Sequence, residues 1–280
     1  MTTHASAEEA TTTPPGNAPD QALFPESLDV TRLRGYLPPP PPVFAETPFS
    51  MLIGTTVQEA VDSGEMAMIS GPVGVGKSTA VAQAARDLDK TVVYVLMPDA
   101  PSVKASLETI WESMTRTAAA SRETQIRRDI ENHLLRHQDV ALVIDDAHYI
   151  STRGLRVLTN LWNSMAALRG QGVPMILVGN DLPTALKGVP EIGSRSVTRR
   201  NVGPLAGEAL YAFLATIEPR TAETDRDVLV LLDRQHFRGE LRKWVQFLNV
   251  VRRHQQQPDE AGALEQTEIR QALLRQGWIG

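Results

Sequence analysis

Apolar residues in this chain are grouped in two alternating ways. Met66–Ser70, Thr91–Met97, Val140–Ile144 and Pro174–Gly179 are short continuous apolar runs, the pattern of strands buried on both faces of a parallel sheet. A fifth short strand is predicted near Val197–Val202. Between the runs the spacing becomes helical. Thr47-Pro48 supplies a capping oxygen and a first-turn proline for a helix that runs toward Asp62 and stops before Gly64. After Ser102, Val103, Leu107, Ile110, Trp111 and Met114 share a face, and after Ser121 so do Ile126, Ile130 and Leu134. Ser151 opens a helix whose Leu155, Leu158, Trp162 and Met165 line up. This alternation predicts an α/β fold, with a parallel sheet flanked by helices and a ligand at the carboxyl ends of its strands. From Pro204 onward the strand signal stops and the apolar spacing is helical throughout, predicting a small all-helical C-terminal domain. The division expected is an arm over 1–46, an α/β core over 47–203 and a helical domain over 204–280.

The sharpest chemistry interrupts the first strand–helix unit. Gly71-Pro72-Val73-Gly74-Val75-Gly76-Lys77-Ser78 fits the phosphate-binding P-loop pattern G-x-x-x-x-G-K-[ST], with Thr79 directly behind it. Glycines let the backbone close around phosphate oxygens while amide groups and the next helix's N-terminus face the anion. Lys77 would reach the β- and γ-phosphates and Ser78 would ligate Mg²⁺, so the chain is read as binding a nucleoside triphosphate. The third strand ends in Asp145-Asp146, the Walker B arrangement. There Asp145 would hold Mg²⁺ through its water shell and Asp146 would polarise the attacking water. His148 reads as a turn residue.

Composition narrows the class without naming a function. The chain has 280 residues, is 42% hydrophobic and 22% charged, and contains no cysteine, which removes disulfides and thiolate metal sites and fits a cytoplasmic protein. No apolar run reaches the length of a membrane span, so no membrane partner is expected. The net charge is −5, and most of it lies in the first 50 residues, where six carboxylates face only Arg32 and Arg34. With Pro38–Pro42, this stretch reads as a disordered acidic arm ending in a stiff spacer. The rest is nearly neutral, which neither announces nor excludes nucleic-acid binding.

A P-loop followed by apolar-Asp-Asp, a strand ending in Asn180 and a helical C-terminal domain resembles the AAA+ ATPases from about Thr47 to Trp278. The resemblance implies ATP and Mg²⁺ as cofactors and assigns three further positions. Asn180 would be sensor 1, orienting the lytic water. Arg195, in Gly193-Ser194-Arg195, would be the arginine finger reaching a neighbouring subunit's nucleotide, with Arg199 and Arg200 close enough to compete. Arg242, in Gly239-Glu240-Leu241-Arg242, would be sensor 2. Other P-loop classes fit worse: there is no ABC signature, no lysine in Val178-Gly179-Asn180-Asp181 to make a guanine reader, and no second RecA-like domain. Within the AAA+ group, "ALVIDDAHYISTRGLRVLTNLWN" followed by "VPMILVGNDLP" resembles the transposition ATPases of the MuB, TnsC and TniB type. That resemblance implies a homo-oligomer, ring or filament, on double-stranded DNA that recruits or activates a transposase. DNA contacts would come from the region after the second strand, where Lys104, Arg116 and Arg122 are the available cations, although a solvated helix surface also accounts for them. An AAA+ ATPase acting on protein partners, as in the ExeA type, and a slowly hydrolysing nucleotide-binding scaffold are the alternatives. Asp146 replaces the usual Glu, which implies slow hydrolysis stimulated by assembly or a partner.

Overall fold

The computed structural model describes residues 36–189, 192, 196–253 and 262–279. Its centre is a five-stranded parallel sheet made of β1 (Met66–Ser70), β2 (Thr91–Leu96), β3 (Val140–Asp145), β4 (Met175–Gly179) and β5 (Ser196–Asn201). The spatial order is β2-β3-β4-β1-β5, and every pairing is parallel. The chain leaves β1 for the far edge, works back through β3 and β4 to β1's side, then crosses to β1's other side for β5. β1 is therefore the strand at which the winding reverses, and the ends of β3 and β4 lie on one flank of it. Register aligns those ends: Ser70 pairs with Gly179 and Ile144 with Leu177.

Alternation along each strand divides the apolar residues between two layers. Met66, Met68, Leu142, Ile144, Met175 and Leu177 pack toward α3 (Val103–Thr115), α4 (Glu123–Arg136) and α5 (Thr152–Arg169). Ala67, Ile69, Ala141, Val143, Ile176 and Val178 pack toward α1 (Pro48–Ser63) and α2 (Lys77–Arg86). The middle strands thus have both faces covered, which is why they read as unbroken apolar runs. Helix ends follow local chemistry. The Thr47 hydroxyl accepts from Ser50 N–H, Ser50 Oγ accepts from Thr47 N–H, Pro48 fills the first turn and Gly64 closes α1 in the left-handed region. Ser102 and Ser151 cap α3 and α5 in the same manner.

Beyond β5 the described residues form helices only. They include Gly207–Ile217, Arg226–Leu232, Leu241–Arg253 and Gln266–Arg275, packed around their own apolar cluster. Trp244, Phe247 and Phe237 are fully buried at its middle, with the Phe237 and Trp244 rings 4.3 Å apart. Ala45, from the proline-rich stretch, is buried in this cluster, and Leu37 packs against the α1–α2 layer. The carbonyl of Pro38 accepts a hydrogen bond from Arg86 on α2. Residues 36–46 therefore lie along the folded body.

Candidate nucleotide-binding site

Gly71-to-Ser78 forms a tight loop between β1 and α2, and its glycines are there for stated reasons. Gly71 has φ 154°, and a side-chain carbon there would lie 2.1 Å from the Val202 carbonyl oxygen, so only glycine lets the loop leave the sheet against the end of β5. Gly74 has φ 79°, and a Cβ would meet the Glu240 side chain at 2.4 Å. Gly76 caps α2 without offering a side-chain acceptor, so the first-turn amides are left for an anion, reinforced by the helix dipole.

Lys77, the first residue of α2, is 7% exposed. Its ammonium donates to the carbonyls of Gly71 at 2.8 Å and Pro72 at 2.7 Å and to Asn180 Oδ1 at 3.1 Å. Burial pushes its pKa down, while the carboxylates of Asp145 and Asp146 pull it back up and Arg242 adds to the depression. Asn180 directly follows β4, so the parallel register of β1 and β4 brings it to the loop. Asp145, the last residue of β3, is 5% exposed. Its Oδ1 accepts from the Asp146 amide at 2.9 Å and its Oδ2 from the Tyr94 hydroxyl at 2.5 Å. Asp146 turns the chain in the left-handed region, and its carboxyl is partly exposed, 3.9 Å from His148 Nδ1. Desolvation and the Asp145 charge raise its pKa against the opposing pull of His148, Lys77 and Arg242.

His148 is not a bystander in a turn. Its Nδ1 accepts from the Asn180 amide at 3.3 Å, and its Nε2 lies 3.4 Å from Asn180 Nδ2. Gly179 permits this approach, since a Cβ there would lie 2.9 Å from the same nitrogen. Asn180 is therefore held from one side by His148 and bound to Lys77 on the other.

The helical region supplies the opposite wall. Asp233 Oδ1 accepts from Gly239 N–H and from Trp244 Nε1, each at 2.8 Å, and so fixes the turn that precedes Leu241–Arg253. The Arg242 amide, in that helix's first turn, donates to the Gly74 carbonyl at 3.0 Å. A cavity of about 550 Å³ lies between the two walls. Lys77, Ser78, Thr79, Asp145, Asp146, Asn180 and Arg242 all line it, and Pro41–Ala45 with Phe49, Phe213 and Val245 form an apolar end. A triphosphate fits the cationic end and a flat base the apolar end. Ser78 and Asp145 are hard oxygen donors, the few that Mg²⁺ takes from a protein when phosphates and water supply the rest. No larger cluster of His, Cys, Asp or Glu that could hold a metal occurs among the described residues.

Among the described residues, the other candidate cations, Arg199, Arg200, Lys104, Arg116 and Arg122, do not line this cavity. Arg195 lies outside the described residues. Arg199 is exposed on β5, the edge strand, whereas Arg200 donates to Thr56 Oγ1 of its own α1 at 3.2 Å. Lys104 pairs with Glu108 at 3.0 Å near the start of α3. Arg116, just past the end of α3, stacks its guanidinium 3.7 Å over the Tyr36 ring. The length of α3 puts Lys104 and Arg116 about 18 Å apart. Arg122 is exposed immediately before α4.

Residues 61–182 match the AAA domain family. The fold is the P-loop AAA+ fold. Among solved structures the AAA+ core and its helical appendage are similar to Aeropyrum pernix Orc1 in complex with DNA, with a TM-score of 0.56 and 16% identity. That alignment covers 84% of this chain and 66% of the other, so the chain spans just under two thirds of Orc1's length. The RuvB Holliday junction branch migration motor of Thermotoga maritima aligns with a TM-score of 0.52 and 14% identity, over 83% of this chain and 70% of that one. No curated protein matches the chain in sequence. No described helix is long and apolar enough to cross a membrane.

Proposed function

We propose that this AAA+ chain hydrolyses ATP with Mg²⁺ and uses the nucleotide to assemble as a homo-oligomer on double-stranded DNA, where it recruits or activates a transposase. The observation that carries the ATPase reading is the convergence of Lys77, Asp145, Asp146, Asn180 and Arg242 on one cavity. Lys77 and Arg242 place positive charge where the transferred phosphoryl group would carry its negative charge, which is where phosphoryl transfer gains most. Asn180, steadied by His148, orients the lytic water, and Asp146 accepts its proton. Ser78 and Asp145 would hold Mg²⁺, which would supply charge neutralisation when bound. Arg195, or Arg199 from the exposed edge strand, would complete the site from a neighbouring subunit. DNA as the surface of assembly draws support from the two structural neighbours, one named in complex with DNA and the other as a Holliday junction motor. The transposase as partner rests on the layout shared with the transposition ATPases. Lys104, Arg116 and Arg122 are the proposed phosphate contacts, few per subunit but added along an oligomer.

The test is duplex binding by fluorescence anisotropy with a non-hydrolysable ATP analogue. Affinity is expected for unrelated sequences alike, falling steeply between 50 and 200 mM salt, on the order of tenfold or more. Lys77→Ala abolishes it. Absence of DNA binding at low salt would sink the DNA reading. ATP-driven oligomers that ignore both DNA and a Lys104→Ala, Arg122→Ala pair would turn it toward a protein-remodelling ATPase.

A further inference from the structure

Tyr94 lies in the middle of β2, in a run that any apolar residue could fill. The sheet order sets β2 beside β3, with Tyr94 opposite Val143 and Leu96 opposite Asp145. The Tyr94 ring is buried on the α2 side of the sheet. Its hydroxyl donates to Asp145 Oδ2 at 2.5 Å.

Hydrogen-bond direction decides what it does there. A carboxylate only accepts, so the single Tyr94 proton goes to Asp145. Asp145 is fixed from both sides, since its Oδ1 is held by the Asp146 amide. We propose that Tyr94 is a positioning residue for the metal half of the cavity, holding the Asp145 carboxylate through the hydrogen bond from its hydroxyl. Neither the P-loop pattern nor the Asp145-Asp146 pair calls for a tyrosine at this place. Partners that orient metal ligands in this way typically govern affinity by 10- to 100-fold, on the order of the ligands' own second contacts.

This inference rests on reading the cavity as a Mg²⁺–nucleotide site, and its test separates the two. Binding of a fluorescent ATP analogue to the full chain is measured with Mg²⁺ and with EDTA. For Tyr94→Phe, affinity in EDTA stays within about twofold of wild type, while affinity with Mg²⁺ falls about tenfold and the Mg²⁺ needed for half-saturation rises by a similar factor. Tyr94→Met also drops the hydroxyl while keeping a buried apolar side chain. It gives the same metal-specific loss, so the result does not hang on one variant folding. In an Asp145→Ala background, Tyr94→Phe adds less than about twofold, because its route to the metal is already cut. Equal losses with and without Mg²⁺ would mean that the ring merely packs, and an unchanged Mg²⁺ response would remove its role; either overturns the proposal. A wild-type protein that binds no nucleotide would instead overturn the reading of the cavity, and this inference with it.

Discussion

Asp146 combines a left-handed backbone, at φ 54° and ψ 32°, with a carboxyl whose pKa is raised by burial and by the charge of Asp145. Both features cost folding free energy, about 1–2 kcal/mol for the backbone of an ordinary L-residue and less for Asp. The pKa shift has a definite sign. A folded pKa above the unfolded one means that the fold favours the protonated form, a stabilisation present at low pH and lost as pH rises through the folded pKa. Asp146→Asn, neutral at every pH, is therefore expected to melt slightly higher than wild type at neutral pH while its turnover falls by 10²-fold or more, as when a general base is removed. Asp146→Glu lengthens the reach by one methylene and should raise single-turnover rate if distance limits the base. At this scale the loop glycines, Lys77, Ser78 and Asp145 were legible, because phosphate and Mg²⁺ demand fixed residue types at fixed spacing. Tyr94 and His148 were not. Tyr94 reads as strand filler, since its partner is 51 residues away and adjacent only through the strand order. His148 reads as a turn residue because nothing local shows that Gly179 leaves room for it.

Elements were legible where the signal was local. The Thr47-Pro48 helix start, the Ser151 cap and the unbroken apolar runs of β1, β3 and β4 each predicted the element found. Strand order was not, because parallel crossovers of similar length fit several arrangements. Nor were all apolar positions in the C-terminal helices core: Leu231, which shares the helical spacing, is 52% exposed, whereas Phe237 and Phe247 are wholly buried. The helix Leu241–Arg253 is anchored through Trp244, which packs on Phe237 and donates to Asp233. Trp244→Ala leaves a cavity and removes one of the donors that hold Asp233. It is expected to cost about 3–5 kcal/mol, read by thermal or denaturant melting. Because Arg242 is two residues away in the same turn, ATP turnover measured below the melt should fall as well, whereas a substitution at exposed Val230 should spare both.

For the whole molecule, the cavity's position matters more than its volume. Its walls come from the sheet layer, the Leu241–Arg253 helix and the Pro41–Ala45 stretch, so a bound nucleotide touches each of them. Saturating nucleotide is expected to raise stability by about 2.7 kcal/mol at a hundred times Kd, a melting shift of roughly 5 °C or more for a chain of this size. Both halves should melt together, and Lys77→Ala should abolish the shift; differential scanning calorimetry with and without ATP and Mg²⁺ reads it directly. Composition could not reveal the Pro41–Ala45 wall, because proline-rich sequence looks the same whether solvated or laid against a partner surface. The backbone bond from the Arg242 amide to the Gly74 carbonyl has a mechanical meaning. Close by, the Leu205 amide donates to the Gly239 carbonyl, which ties the connection after β5 to the turn before the Leu241–Arg253 helix. A change in the curl of the phosphate loop would therefore be passed directly to the first turn of the Leu241–Arg253 helix.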